Sequence, residues 1–192
     1  MGEYGVINLE KLYEYKHVFG FFAQQLTYPE KLDFHPSIME EIPDRTYPAY
    51  EHIERFWELM HGYSMEQIEE MYVQTFDFQK DSTLYMTYFK FEDSKERGQM
   101  LAKLKILYQM FGLDMPDHEL SDYLPLMCEF IYAAEWQGYP QAERDFSVLV
   151  SVIEDGTYHL LKSLEKSSSP YFHLIKALRE TLKSCIRQEA SQ

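Results

Sequence analysis

Apolar residues recur every three to four positions along nearly all of this chain, a period that packed helices bury and strands do not. From Leu9 to Leu26 the residues Leu12, Tyr15, Phe19, Phe22 and Leu26 fall on one stripe. Tyr28-Pro29 ends that helix, because proline disfavours helical backbone in the residue before it. A short helix fits 36–42, inside a stretch punctuated by Pro29, Pro36 and Pro43-Asp44. The pattern resumes over 48–61 with Tyr50, Ile53, Phe56, Trp57 and Met60 inward and Gly62 as the stop. Ser64 with Gln67 has capping-box spacing and starts a helix carrying Ile68, Met71, Tyr72, Thr75 and Phe76. Asp93 or Ser94 opens the next helix, and Asp93 with Glu96 repeats the capping-box spacing. Its stripe of Met100, Leu101, Leu104, Leu107, Tyr108 and Phe111 closes at Gly112. Ser121 is placed to cap a helix through Trp136, with Pro125 in its first turn. A long helix follows over 140–166, with Gly156 as a kink point, then the connector Ser167-Ser168-Ser169-Pro170 and a last helix over 170–188.

Only 82–91 departs from the period. The run from Thr83 to Phe91 is aromatic and β-branched and has strand propensity. No second strand candidate exists to pair with it, so a short helix or an extended, tightly packed loop is expected. A chain of 192 residues suits one domain and buries roughly 70% of its unfolded surface. The expected fold is therefore all-α: one domain over 1–192, about seven to nine helices, with 167–192 as a C-terminal helix able to move.

Charge narrows the function. The net charge is −14, which disfavours binding to a phosphate backbone and so excludes a nucleic-acid partner. From Pro29 to Glu70 eleven acids face only Lys31, Arg45 and Arg55, whereas the last helix carries Lys176, Arg179, Lys183 and Arg187. This is either a solvated acidic face or one that receives a basic segment of another protein. Cys128 and Cys185 are too few for a disulfide framework or a thiolate metal site, and read as buried free thiols in a reducing compartment. No run approaches the roughly 18 apolar residues of a membrane span. No secretory pattern is visible at the N-terminus, and Val6 stands where a myristoylation signal has Ser or Thr. The expected location is the cytoplasm.

Catalytic motifs are absent: no phosphate loop, dinucleotide glycine fingerprint, nucleophile elbow or His-Glu-x-x-His pair. Glu14-x-x-His17 and Glu58-x-x-His61 match one element of di-iron carboxylate bundles, whose ligands all project inward. At about 100° per residue these four residues lie roughly 100° or more from the centres of their apolar stripes, on the solvent side. The other histidines form no ligand-spaced set. A di-iron enzyme is thus the weakest alternative, and an acidic helical adaptor is a blander one.

The middle of the chain is the most distinctive. Tyr72-Val73-Gln74-Thr75-Phe76-Asp77 is followed by Leu84-Tyr85-Met86-Thr87-Tyr88, Asp93, Arg97-Gly98, Tyr108 and Gly112. Glu119-Leu120-Ser121-Asp122-Tyr123-Leu124-Pro125 then precedes Glu129-Phe130. In this order and spacing the chain resembles the respiratory nitrate reductase delta-subunit family, the NarJ-type molybdenum-enzyme assembly chaperones related to the TorD type. The resemblance covers residues 70–130 closely. Ser121 departs from it, since the family usually has Pro there. The resemblance implies an all-helical, non-catalytic chaperone with no stably bound cofactor. It would bind the apo catalytic (alpha) subunit of nitrate reductase, partly through that subunit's N-terminal peptide. Meanwhile the client acquires molybdopterin guanine dinucleotide and an iron–sulfur cluster, and docking onto the membrane anchor waits. Cofactor-delivery proteins are further partners it suggests, and a chaperone for another molybdoenzyme, a sulfoxide or amine-oxide reductase, is the near alternative.

A basic amphipathic client segment needs an aromatic groove rimmed with acids. Tyr72, Phe76, Tyr85, Tyr88 and Tyr108 are either walls of such a groove or core. Asp77, Glu119 and Asp122 are expected on loops facing the client. Glu129 is a further candidate for client binding; if it turned inward it would need a partner, and Arg97 is the candidate. Asp93 is read as an N-cap, Arg97 as organiser of the loop 91–98, Gly98 as a point of close helix approach, and Gly112 and Pro125 as structural.

Overall fold

The structure, a computed structural model, describes residues 6–91 and 94–187. Among them are nine α-helices: α1 (Leu9–Glu14), α2 (Lys16–Gln25), α3 (Tyr50–Met60), α4 (Met65–Tyr72), α5 (Tyr88–Phe91), α6 (Lys95–Met110), α7 (Leu124–Ala133), α8 (Ala142–Ser167) and α9 (Tyr171–Ser184). The turn-rich stretch after α2 supplies two 3-10 turns, Lys31–Phe34 and Pro36–Glu41. A π-helical turn, Val73–Asp77, extends α4. The all-α expectation holds.

Local chemistry sets most boundaries. Ser64 Oγ accepts from the Gln67 amide at 3.3 Å while Gln67 Oε1 accepts from the Ser64 amide at 2.9 Å, a complete capping box for α4. Ser94 caps α6, its Oγ accepting from the Arg97 amide at 3.3 Å; Asp93 lies outside the described residues. Gly112 ends α6 at φ 76°, the left-handed conformation that glycine takes without strain. There its N–H reaches Gln109 O at 3.0 Å, and Leu113 N–H reaches Tyr108 O at 3.0 Å, which satisfies two terminal carbonyls.

Four expectations change. The first helix is two, broken at Tyr15 (φ −94°, ψ 5°), where the ring packs edge-on against Tyr47 at 5.1 Å. Helix α7 starts at Leu124, with Pro125 in its first turn as expected, but Ser121 does not cap it. The Ser121 hydroxyl donates instead to Leu101 O at 2.7 Å, tying the approach of α7 to α6. Gly156 does not kink α8, which runs unbroken. Helix α9 is no loose appendage: Leu174, Ile175, Ala177, Leu178 and Leu182 are fully buried against α3, α8 and α2. Residues 185–187, which follow it, are held by an antiparallel bridge between Ile7 and Ile186, with Asn8 N–H on Cys185 O at 2.7 Å.

The segment 82–91 meets both readings made of it. Tyr85 forms a single antiparallel bridge to Tyr123, with Met86 N–H on Asp122 O at 2.9 Å and Leu124 N–H on Leu84 O at 2.8 Å. It then coils into the one turn of α5. Met86 closes against α8 at Gly156, where a Cβ would stand 2.6 Å from Met86 Sδ and 2.7 Å from its carbonyl oxygen. Gly156→Ala should therefore destabilise the fold by about 1–3 kcal/mol through overpacking, even though alanine gains about 1 kcal/mol in helix propensity. Urea unfolding followed by circular dichroism measures this, and a stabilised variant would contradict the contact.

Candidate functional site

Asp122 is fully buried, so its charge must be matched inside the protein. Oδ2 accepts from the Thr87 hydroxyl at 2.5 Å and the Thr87 amide at 3.0 Å, and lies 3.6 Å from Arg97 Nη2. Arg97 Nε donates to Thr87 Oγ1 at 3.0 Å, closing a triangle between the 82–91 segment, α6 and the strand-like approach to α7. Next to it Tyr108, also fully buried, donates to Ser121 O at 2.6 Å. The family-like motifs of 70–130 thus meet largely in one place.

Beside that junction Tyr28, Tyr85 and Tyr123 reach the surface over the buried Tyr72. The Tyr72 hydroxyl donates to Leu26 O at 2.9 Å and stands 3.4 Å from the Tyr123 hydroxyl. Tyr123 packs on Tyr85 at 5.4 Å, and Tyr28, 51% exposed, meets Tyr72 edge-on at 5.7 Å. The Tyr85 hydroxyl donates to Glu119 Oε1 at 3.1 Å, and the same oxygen accepts the Leu120 amide at 2.9 Å. Burial raises the Tyr72 and Tyr123 hydroxyls above the ordinary range. Burial, aided by the Glu119 charge, pushes Tyr85 up to about 12. All three remain protonated donors at neutral pH. Asp77 is exposed, and its charge adds to the rise at both Tyr72 and Tyr123.

From Thr27 and Pro125 this face runs into a groove of about 290 Å³ between α2 and α7. Gly20 and Ala23 of α2 and Pro125 of α7 contribute its small-residue part, and Gln24, Thr27, Glu129 and Tyr132 complete the lining. Gly20 lets α2 approach Tyr132 closely, since a Cβ would stand 3.0 Å from that ring. Pro125, Glu129 and Tyr132 follow one another at helical spacing along α7. An extended or helical segment lying here meets apolar surface beneath it and the Glu129 carboxylate at the groove itself.

The structure separates the residues singled out in the sequence. Asp77, Tyr85, Glu119 and Glu129 have surface on this face. Glu129 points outward, so Arg97 is not its partner; Asp122 is. Asp122 offers no surface, contrary to its expected loop exposure, because it is spent on Thr87 and Arg97. Tyr108 is core, packed on Phe130 at 4.8 Å. Tyr72 and Phe76 are buried against Tyr171, at 6.1 and 4.9 Å, and support the face from beneath. Tyr88 lies apart, over the Arg97 guanidinium at 5.9 Å. Gly98 is exposed with nothing within 4 Å of its Cβ direction, so it mediates no close approach. Glu14, His17, Glu58 and His61 are exposed as read. Sequence reasoning missed Tyr28, Tyr123 and Tyr132. The Tyr28-Pro29 stop and the α7 spacing were the available signals.

Asp122→Ala should cost about 2–3 kcal/mol, because it removes the acceptor of the buried Thr87 amide and hydroxyl. Asp77→Ala should stay within about 0.5 kcal/mol. Urea midpoints of the two variants check the division between pin and surface, and equal midpoints would contradict it.

Comparison with known proteins places this arrangement in a family. The family model described as nitrate reductase delta subunit matches residues 46–184. A Bacillus subtilis (strain 168) protein named probable nitrate reductase molybdenum cofactor assembly chaperone NarJ is 35% identical over 164 residues, covering 83% of this chain and 84% of that protein. The nitrate reductase-like protein NarX of Mycobacterium tuberculosis is 30% identical over 110 residues, 57% of this chain but only 16% of that protein. The chain belongs to the nitrate reductase delta subunit family.

Proposed function

We propose that this protein is a non-catalytic assembly chaperone of the NarJ type. It holds the apo catalytic subunit of a respiratory nitrate reductase in the cytoplasm while molybdopterin guanine dinucleotide and an iron–sulfur cluster are installed. It thereby delays docking of that subunit onto its membrane anchor. Family membership carries this reading, with a relative named for that role matching most of both chains. Among the described residues no helix is long and apolar enough to cross a bilayer.

The α2–α7 groove and its tyrosine-rich extension suit the client's N-terminal segment. An amphipathic segment would set its apolar side on Ala23, Pro125 and Tyr132 and its cations toward Glu129, Asp77 and Glu119. Tyr28 and Tyr132 supply contact area with few rotors to freeze, and their faces attract guanidinium groups. Because the acids sit at the rim, they favour encounter and register more than affinity, and release stays possible.

Calorimetric titration with a synthetic peptide of the client's N-terminal segment tests this. Binding should weaken from 0.05 to 0.5 M salt. The double change Asp77→Lys and Glu129→Lys should reduce affinity at least about tenfold at the lower salt. Unchanged affinity in that variant would remove this face as the site. No binding by the unaltered protein would remove the peptide as its client segment.

A further inference from the structure

Two histidines from different helices meet, half-buried, where α3 packs on α9. His52 of α3 and His173 of α9 have ring centroids 5.8 Å apart and planes inclined by 31°. Each is the third residue of its helix. The interface they occupy anchors the fold. Tyr47, just before α3, bonds the Thr181 hydroxyl of α9, and Phe56 packs on Tyr171 at 5.7 Å. Neither histidine lines the α2–α7 groove.

The contact suits neutral rings only. His173 Nδ1 is buried and takes part in no hydrogen bond with a described residue. In a neutral imidazole this nitrogen can stand as an unpaired lone pair. In the imidazolium it becomes a charged N–H donor with no acceptor, which costs far more. Two imidazolium charges at this separation also repel. Both rings ride on the first turn of a helix, where the positive end of the dipole disfavours a cation. The charged neighbours divide. Lys176 of α9 opposes a proton on His52, whereas Glu180 of α9 and Glu51 of α3 favour it; Arg55 of α3 opposes one on His173. Glu180 is already engaged by Lys176 at 3.1 Å, and Arg55 by Glu58 at 3.1 Å. Burial holds both histidines below their ordinary value of 6.5, and at His173 the His52 ring adds to this.

We propose that His52 and His173 form an acid-released clasp between α3 and α9. While both rings are neutral, the two helices close on one another. When both take up protons, the unmatched donor and the paired charges loosen the contact at the first turn of α9. Tyr171 stands two residues before His173 and packs beneath Tyr72 and Phe76 at 6.1 and 4.9 Å, so the tyrosine-rich face loses support with it. A histidine whose folded value is depressed binds its proton better in the unfolded chain. Its stabilising contribution is therefore complete above the ordinary value and is lost as pH falls through the depressed one. The clasp stands independently of the client-segment reading.

Imidazole NMR titration of the full chain between about pH 8 and 5, with urea midpoints at the two ends of that range, tests the proposal. Both rings should titrate below the ordinary histidine value, and His52→Gln should raise the titration midpoint of His173, since a repelling neighbour is gone. The urea midpoint of the unaltered protein should fall toward the acid end, and His52→Gln combined with His173→Gln should remove at least about half of that fall. Amide exchange over 171–178, corrected for its intrinsic pH dependence, should rise at the acid end in the unaltered protein but not in the double variant. The His173 titration in the single variant keeps the test decisive even if the double variant fails to fold. An unmoved His173 midpoint in His52→Gln would overturn the proposal. So would an equal fall in urea midpoint, or an equal change in exchange, with and without the two histidines.

Discussion

Asp122 joins three segments that are distant in sequence, and the acidic, tyrosine-rich face takes its geometry from that junction. A fully buried carboxylate is tolerated only when hydrogen bonds and an opposite charge replace its water. Thr87 provides both an amide and a hydroxyl, and Arg97 provides the charge. The Tyr85–Tyr123 bridge lies beside this pin, so the two rings of the face are set by backbone pairing as well as by packing. Tyr171, buried among Phe56, Tyr72 and Phe76, supports the same face from the α9 side.

Charge is distributed to the same effect. The chain has net charge −14, yet several of its cations are turned toward structure. Arg97 serves Asp122, Arg179 reaches Glu154 O at 2.7 Å and Thr157 Oγ1 at 2.8 Å, and Lys176 pairs with Glu180 at 3.1 Å. The acids Asp77, Glu129 and those of the 29–70 stretch mostly face solvent. Under the proposed function, a basic client segment would be drawn by the long-range field and oriented by a few carboxylates, with the uncharged groove floor as contact area. Such a division fits a holdase that must bind early and let go late.

Much of the fold was legible because its rules are local. Ser64 with Gln67, Gly112 and Pro125 each act within a turn of their own position, and each sits where its chemistry requires. Apolar periodicity identified the helices because each buries a single stripe. It did not reveal the break at Tyr15, where the ring packs on the distant Tyr47. Nor did it reveal the role of Gly156, set by Met86 crossing α8. The candidate site was half legible. Asp77, Glu119 and Glu129 are polar residues left at the surface, whereas Asp122 reads identically in sequence and is buried. Its partner Thr87 lies 35 residues earlier, beyond any local pattern. Tyr108 and Tyr72 show the matching ambiguity: an aromatic at helical spacing serves a core or a groove equally well until neighbouring elements are placed.

The central claim is that a client segment docks along α2 and α7. Hydrogen–deuterium exchange of the protein with and without the N-terminal peptide of its client tests it most directly. The account predicts new protection concentrated in residues 20–28 and 119–132, with α8 unchanged. Protection confined to α8 and α9, with 20–28 and 119–132 unaffected, would contradict it.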